Sequence, residues 1–486
     1  MLSQWEISHD SKVRLPDALG SHAVVIGGSV AGLTAARVLS DHFERVTIVE
    51  RDRLPDNPDF RPGAPQARHV HVLRLRGQMI LEQHFPGLID ELLAAGAVTV
   101  NAGNEAEFFL FGHWRAPRYR SAIVSIAGSR PLLEYTIARQ LAARPGVVIL
   151  QEHEMAGLNV DERGERVIGV RLRQRGEAHA GVSELAADLV VDASGRASKA
   201  QQWLADLDYA PPRETVVDAF PGYTTRLYRR PAGFRSGWKT MYIIPTPPDS
   251  PRGGVIVPLE GGRWLVTLIG MGRDYPPTDE EGFMAFARSL PSSRLHDAIK
   301  GAEPLTKPYG YRNNANRLRH YDQLPRYLEG FLVSGDSVLT LNPTHAQGMT
   351  VAALGSLALQ RSLRAHRGRA TNDMTGLAQA FQQELAQVVA GPWYMATSTD
   401  RRWPTTEGGH EQVKLVTRLR QKYFARVLRA MVHNPEVAEA FFHVQHMVQP
   451  AATLFRRDIM LQVLGVTLRQ RRQQRSERPL AACASC

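Results

Sequence analysis

The chain has 486 residues, enough for two or three domains or for one large enzyme with an inserted sheet. Hydrophobic residues make up 43% and charged residues 22%, a globular balance that excludes a disordered or fibrous chain. Lys and Arg exceed Asp and Glu by 59 − 48 = 11, but no basic run is interleaved with aromatic residues, so no nucleic-acid partner is expected. The two cysteines, Cys483 and Cys486, are confined to the end of the chain and build no disulfide framework, which fits a reducing cytoplasm. Residues 1–20 lack the basic and apolar regions of a signal peptide. No window of about eighteen consecutive apolar residues predicts a spanning helix, so the expected location is cytoplasmic.

Residues 23–50, AVVIGGSVAGLTAARVLSDHFERVTIVE, read as strand, glycine turn, amphipathic helix and second strand. That is the βαβ unit of an adenine-dinucleotide site. Gly27 permits the tight turn, the small Ser29 lets backbone approach a pyrophosphate, and Gly32 allows helix and strand to pack closely. Ser29 stands where the fingerprint has its middle glycine. The diphosphate would sit on helix N-terminal amides, and Glu50 would accept hydrogen bonds from ribose hydroxyls.

Next come a loop holding Pro62, Gly63 and Pro65, in a position suited to facing a ligand, and a long helical pattern. Residues 127–143 predict a helix with Ser129 near its cap and Arg130 directed back toward the preceding strands. Residues 147–150 predict a strand, and 167–173 and 183–191 two strands of a small layer closing on Asp192-Ala193-Ser194-Gly195-Arg196. Four apolar or alternating runs between Phe220 and Ile269 imply an antiparallel sheet. Residues 330–349, GFLVSGDSVLTLNPTHAQGM, return to nucleotide-binding grammar. From about Thr371 the pattern is helical, with Trp393, Tyr394 and Trp403 near a Gly/Pro break. The expected layout is therefore a dinucleotide-binding part over 20–200, with an excursion toward a second sheet near 77–125. A mainly antiparallel sheet over 201–310 follows, then a return over 311–370 and a helical region with a basic tail over 371–486. Arg469, Arg471, Arg472, Arg475 and Arg478 in that tail read most simply as a solvated helix end; an anionic membrane or an acidic carrier protein is the alternative.

Together these segments resemble the flavoprotein monooxygenases of the para-hydroxybenzoate hydroxylase type, in which three separated motifs bind FAD. The resemblance spans about residues 22–400. It implies an α/β fold with a Rossmann-like FAD-binding domain, interrupted by an antiparallel substrate sheet, and a helical C-terminal region. Glu50 and Arg51 match the acid and base used around the adenosine ribose, and Asp336 after Gly335 the aspartate that bonds the sugar portion of FAD. Pro343 precedes a loop covering the flavin ring, and Gly348 and Met349 open a helix whose amides point at the flavin pyrimidine oxygen. Asp192 belongs to the looser middle motif, where the expected Asp-Gly pair is Asp-Ala, and Arg130 matches an arginine that approaches FAD. The segments RPGAPQARHVHVL and SRPLLE are similar to bacterial flavin epoxidases of polyether biosynthesis and to polyprenyl-methoxyphenol hydroxylase-like enzymes. That alignment would bring Arg61, Gln66, Arg68 and His69 beside the flavin. His69 and His71 read equally well as ligand contacts or as a pair on alternate faces before a helix. They have no third ligand for a metal, and no metal site is expected.

The resemblance implies an NADPH- or NADH-reduced flavin whose carbon-4a hydroperoxide delivers one oxygen atom from O2 to a hydrophobic natural product of secondary metabolism, with no protein nucleophile. Reduction by a partner flavin reductase is the other route. Alkene epoxidation is the first expectation and aromatic hydroxylation the second. A flavin-dependent reductase or desaturase, as in geranylgeranyl reductases, uses the same motifs. Halogenases of this fold carry Trp-x-Trp-x-Ile-Pro where this chain has Thr240-Met241-Tyr242-Ile243-Ile244-Pro245, so halogenation ranks low.

Overall fold

The computed structural model describes residues 18–115, 118–176, 181–312, 314–367, 374–409 and 415–476. The segment read for a signal peptide, except its last three residues, and Arg478, Cys483 and Cys486 lie outside the described residues. At the centre is a five-stranded sheet in the order Phe331–Val333, Leu189–Asp192, Gly20–Ile26, Phe43–Val49, Val147–Leu150, with every pairing parallel. Its strands are continuous apolar runs because both faces are covered, by helices such as Val30–Leu39 and by a meander of the strands His153–Val160, Val167–Gln174 and Val182–Ala186: Ala23, Val24, Val25, Val46 and Ile48 are fully buried. Ile26 is level with both Val49 and Asp192, and Asp192 with Val333. Four strands therefore end at one edge, and the residues that follow them converge there. That edge is where a doubly wound sheet binds its ligand.

The chain leaves this sheet twice to build a second one of seven strands, ordered Tyr309–Tyr311, Gly222–Arg229, Arg263–Gly270, Arg252–Leu259, Thr240–Ile243, Ala106–Leu110, His113–Trp114. All pairings are antiparallel except that of Thr240–Ile243 with Ala106–Leu110. Strand alternation splits its aromatic residues between two faces. Tyr228, Met241 and Trp264 pack with Phe283, Phe286 and Leu295 of the helices Glu280–Arg288 and Arg294–Ile299. Tyr223 and Tyr242 face the other way, into a cavity.

Helix Gly348–Arg367 packs on both Val30–Leu39 and Leu377–Asp400. The last helices, Leu415–Ala430, Pro435–Gln445 and Arg457–Ser476, share a core of Val427, Met431, Phe442, Leu454 and Val463.

Two local expectations change. Residues 183–191 form two strands, Val182–Ala186 in a three-stranded meander and Leu189–Asp192 in the parallel sheet. Asp188 makes the corner, its Oδ2 accepting from Ser21 and His22 amides at 2.7 and 2.9 Å. The Gly/Pro break near Trp393 is no break: helix Leu377–Asp400 runs through Pro392. A proline deletes one helical bond, and buried Phe381, Leu385 and Val389 before it and Ala396 and Thr397 after it hold the helix on either side of that loss.

Candidate cofactor and substrate cavity

The edge where the parallel strands end opens into a cavity of about 760 Å³ that extends under the second sheet and the C-terminal helices. Gly27 turns at φ +101°, and a Cβ there would meet the Ala193 carbonyl oxygen at 2.7 Å. A Cβ on Gly32 would lie 1.8 Å from the Gly27 carbonyl oxygen, so the helix approaches the turn as only glycine allows. Ser29 is the helix N-cap, and its hydroxyl accepts from Arg61 Nη2 at 2.7 Å. Glu50 is buried: Oε2 accepts the Gly28 amide at 2.7 Å and pairs with Arg61 Nη1 at 2.8 Å, while Oε1 accepts the Asp52 amide at 3.0 Å. Burial lowers the Arg61 pKa, but Glu50, Glu134 and Asp52 around it reverse the sign and leave it raised.

A second set of side chains continues along the wall. Arg130 donates through Nε and Nη2 to Glu134 at 2.9 Å and through Nη1 to His71 Nε2 at 3.0 Å. His71 Nδ1 lies 2.9 Å from the His69 carbonyl oxygen and must carry the proton, so the ring is neutral and accepts from Arg130. Burial first, then Arg130, lowers its pKa to about 3. Burial and Arg68 lower that of His69 to about 4; its Nδ1 is 2.8 Å from the Thr225 hydroxyl.

The third component follows Asp336. Asn342 caps the turn Pro343–His345, Ala346 adopts φ +52°, and helix Gly348–Arg367 begins. Arg74 draws in two carbonyls of this loop, donating to His345 O at 2.9 Å and Ala346 O at 3.1 Å. His345 Nε2 is 3.0 Å from Asp400 Oδ1, and Asp400 Oδ2 accepts from Asn316 at 2.6 Å and Asn342 at 3.0 Å. His345 and Asp400 both line the cavity. The sequence signals neither: the local signal of the loop is its Pro and Gly, and nothing local marks an aspartate at the end of a distant helix. Arg74 and Asn314 were missed for the same reason.

Of the residues named from sequence, Gly27, Ser29, Glu50, Arg51, Arg61, Gln66, His69, His71, Arg130, Asp336, Gly348 and Met349 line this one cavity. Three do not. Gly32 lies behind the turn, Arg68 is between the rings of Phe60 and Tyr309, and Asp192 is fully buried with its oxygens on the Ser194 amide and Ser198 hydroxyl. Asp192 shapes the loop 193–198, which does reach the wall.

Several polar groups on the wall lack partners among the described residues, as a bound polar cofactor requires. The Asp336 carboxylate opens into the lumen, accepts no hydrogen bond from the described residues, and has its pKa raised by its largely protein surroundings. The amides of Gly348, Met349 and Thr350 donate to no described protein atom. Both amide atoms of Asn314 and Oε1 of Gln347 are buried and have no hydrogen-bond partner among the described residues. A carboxylate for hydroxyl groups and free helix amides for carbonyl or phosphate oxygens suit a dinucleotide with a polar ring system. The opposite half of the lining is apolar: Phe108, Tyr242 and Val255 come from the second sheet's side, and Phe424, Leu428 and Phe441 from the C-terminal helices.

Residues 21–390 match the family described as FAD binding domain. Protein Rv3254 of Mycobacterium tuberculosis is 34% identical over 379 residues, covering 77% of this chain and 79% of that protein. Among solved structures, a flavoprotein/dehydrogenase from Cytophaga hutchinsonii superposes with TM-score 0.63 at 16% identity, over 93% of this chain and 99% of that one. PqsL of Pseudomonas aeruginosa, described as a probable FAD-dependent monooxygenase, gives TM-score 0.56 at 19% identity over 79% and 97%. The flavin-dependent halogenase CmlS gives 0.59 at 16% over 88% and 76%. At these identities the superpositions establish the fold, while the family match and the relative establish kinship: the chain belongs to the FAD binding domain family.

Proposed function

We propose that this protein is an FAD-dependent monooxygenase that places one atom of O2 on a hydrophobic substrate, with alkene epoxidation as the preferred outcome. The observation that carries the reading is the continuity of the cavity, which joins a polar dinucleotide end to an apolar chamber. FAD, reduced by NADPH or NADH, supplies the oxygen activation. The Gly27–Ser29 turn and Arg130 hold its diphosphate part, Glu50 and Arg51 its adenosine side, and Asp336 its sugar chain. Free amides at Gly348 and Met349 stabilise negative charge on its ring.

The protein's own part is to orient and to exclude water. His69 and His71 stay neutral near pH 7, so neither places a second positive charge beside Arg130. Among the described residues of the wall, His345 is the one imidazole with a carboxylate partner, Asp400, which fixes the orientation of its ring toward a bound group. Epoxidation transfers oxygen to a π-bond and requires no protein nucleophile, which suits the apolar lining. Aromatic hydroxylation uses the same groups and is the second reading. The halogenase signature is absent at residues 240–245, where Tyr242 instead stacks on Phe108 at 4.8 Å between ring centres.

Incubating the flavin-loaded protein with NADPH or NADH and a panel of apolar alkenes and phenols, with and without air, tests the proposal. Substrate-dependent oxygen uptake with an epoxide or phenol product supports it. Undiminished turnover without oxygen would establish a reductase.

A further inference from the structure

Helix Arg457–Ser476 has two apolar faces where a surface helix needs one. Ile459, Val463 and Val466 are buried in the C-terminal core. Met460, Leu461, Leu464 and Leu468 lie opposite, 45%, 60%, 53% and 49% exposed. At about 100° per residue these four fall within one arc of roughly 100°. Phe455, just ahead of the helix, is 44% exposed and adds its ring to the same end of the molecule. Contiguous exposed apolar side chains of this kind mark an interaction surface.

Charge decides the partner. Arg457 and Arg469 are exposed at the two ends of the stripe, Arg456 beside them pairs with Asp458 at 2.8 Å, and Arg471, Arg472 and Arg475 follow in a chain with net charge +11. A second copy would set like charges against each other. A bilayer with anionic lipid offers negative headgroups and hydrocarbon together. We propose that this helix docks flat on an anionic membrane, with its apolar stripe among the acyl chains and its flanking arginines at the headgroups. The docking is peripheral, because among the described residues no helix is long and apolar enough to cross a membrane. The inner side of the helix packs on Leu415–Ala430 and Pro435–Gln445, whose Phe424, Leu428 and Phe441 line the cavity. The membrane would thus lie one helix layer from the apolar chamber. The docking is independent of the oxygenation chemistry and is tested without turnover.

The test is flotation of the full-length, flavin-loaded protein with vesicles of phosphatidylcholine alone or mixed with phosphatidylglycerol. The expected result is binding to the mixed vesicles only, weakened by salt. The variant Leu461→Gln/Leu464→Gln/Leu468→Gln should bind at least about tenfold more weakly while keeping its flavin. Should that variant lose its flavin, Arg457→Gln/Arg469→Gln carries the test, with about a tenfold loss expected. The proposal is overturned if the wild type stays off mixed vesicles, if the substitutions leave binding unchanged, or if the wild type is an oligomer that the apolar substitutions dissociate without any effect on vesicle binding.

Discussion

The two ends of the cavity are built in opposite ways. The dinucleotide end is made of backbone turns and strand termini: Gly27, Gly32 and Gly335 admit conformations or contacts that a Cβ would obstruct, and Glu50 and Asp336 follow directly on strands or turns. The apolar end is made of side chains from separate segments, with Phe108, Tyr242, Val255 and Phe424 meeting only through tertiary packing. A site made of backbone tolerates few sequences. A site made of apolar side chains tolerates many, and the difference orders the consequences of mutation.

The largest effect is expected at the turn. Gly32→Ala sets a methyl group 1.8 Å from the Gly27 carbonyl oxygen, so helix and strand must separate, costing more than about 3 kcal/mol and abolishing flavin binding. Thermal unfolding and flavin absorbance read it out; a flavin-loaded variant of unchanged Tm would break the contrast.

Acid acts on both ends at once. His22, His69 and His84 have pKa values lowered to about 4, and His71 and His446 to about 3, burial being the main cause in each. Their unfolded values lie near 6.5, so below that pH the unfolded chain binds protons that the folded chain refuses. Their stabilising contribution is present above about pH 6.5 and is lost as pH falls toward 4. Asp192, raised by burial, and Asp336, raised by the protein packed around its lumen-facing carboxylate, act in the opposite direction. His42 and His433 are lowered by burial as well, so the histidines outnumber the two aspartates and stability should drop by several kcal/mol between pH 7 and pH 5. A pH-independent Tm over that range would contradict the neutral histidine pair.

Asp336→Ala removes the lumen-facing carboxylate without removing a bond made in the protein. FAD affinity should fall roughly ten- to a hundredfold, with the apoprotein as stable as the wild type or more so. Titration with FAD and unfolding of the apoprotein separate the two. Asp400→Asn takes one carboxylate oxygen from the cluster of Asn316, Asn342 and His345. It should cost about 2 kcal/mol and loosen the loop 342–347 ahead of helix Gly348–Arg367, visible as faster amide exchange there. The smallest effect is expected at the apolar end. Phe424→Ala should raise KM for an apolar substrate about tenfold or less and leave FAD affinity unchanged. A loss of flavin there would show that the two ends are not separable.

The same contrast explains what the sequence discloses. The parallel sheet announces itself because apolar runs end in glycine turns, and the fingerprint residues stand at fixed offsets along one local segment. The antiparallel strands are visible through alternation, but their faces are not: nothing in the order of Tyr223 and Tyr228 says that one borders the cavity and the other the helices beneath. The parallel partner Ala106–Leu110 of Thr240–Ile243 comes from far upstream and carries no local sign of that pairing. His345 and Asp400 are 400 − 345 = 55 residues apart and meet only because helix Leu377–Asp400 packs back across the fold. The roof formed by Phe424 and Phe441 is equally silent, since an amphipathic helix looks the same whether its apolar side meets a core or a cavity.

The central claim is that the two ends of the cavity act together, the flavin end activating oxygen and the apolar end receiving it. It is tested most directly by turnover under 18O2 with an apolar alkene, followed by product mass spectrometry. The account predicts one 18O atom in an epoxide product and none from labelled water. Product formed without label, or at full rate in the absence of oxygen, would contradict it.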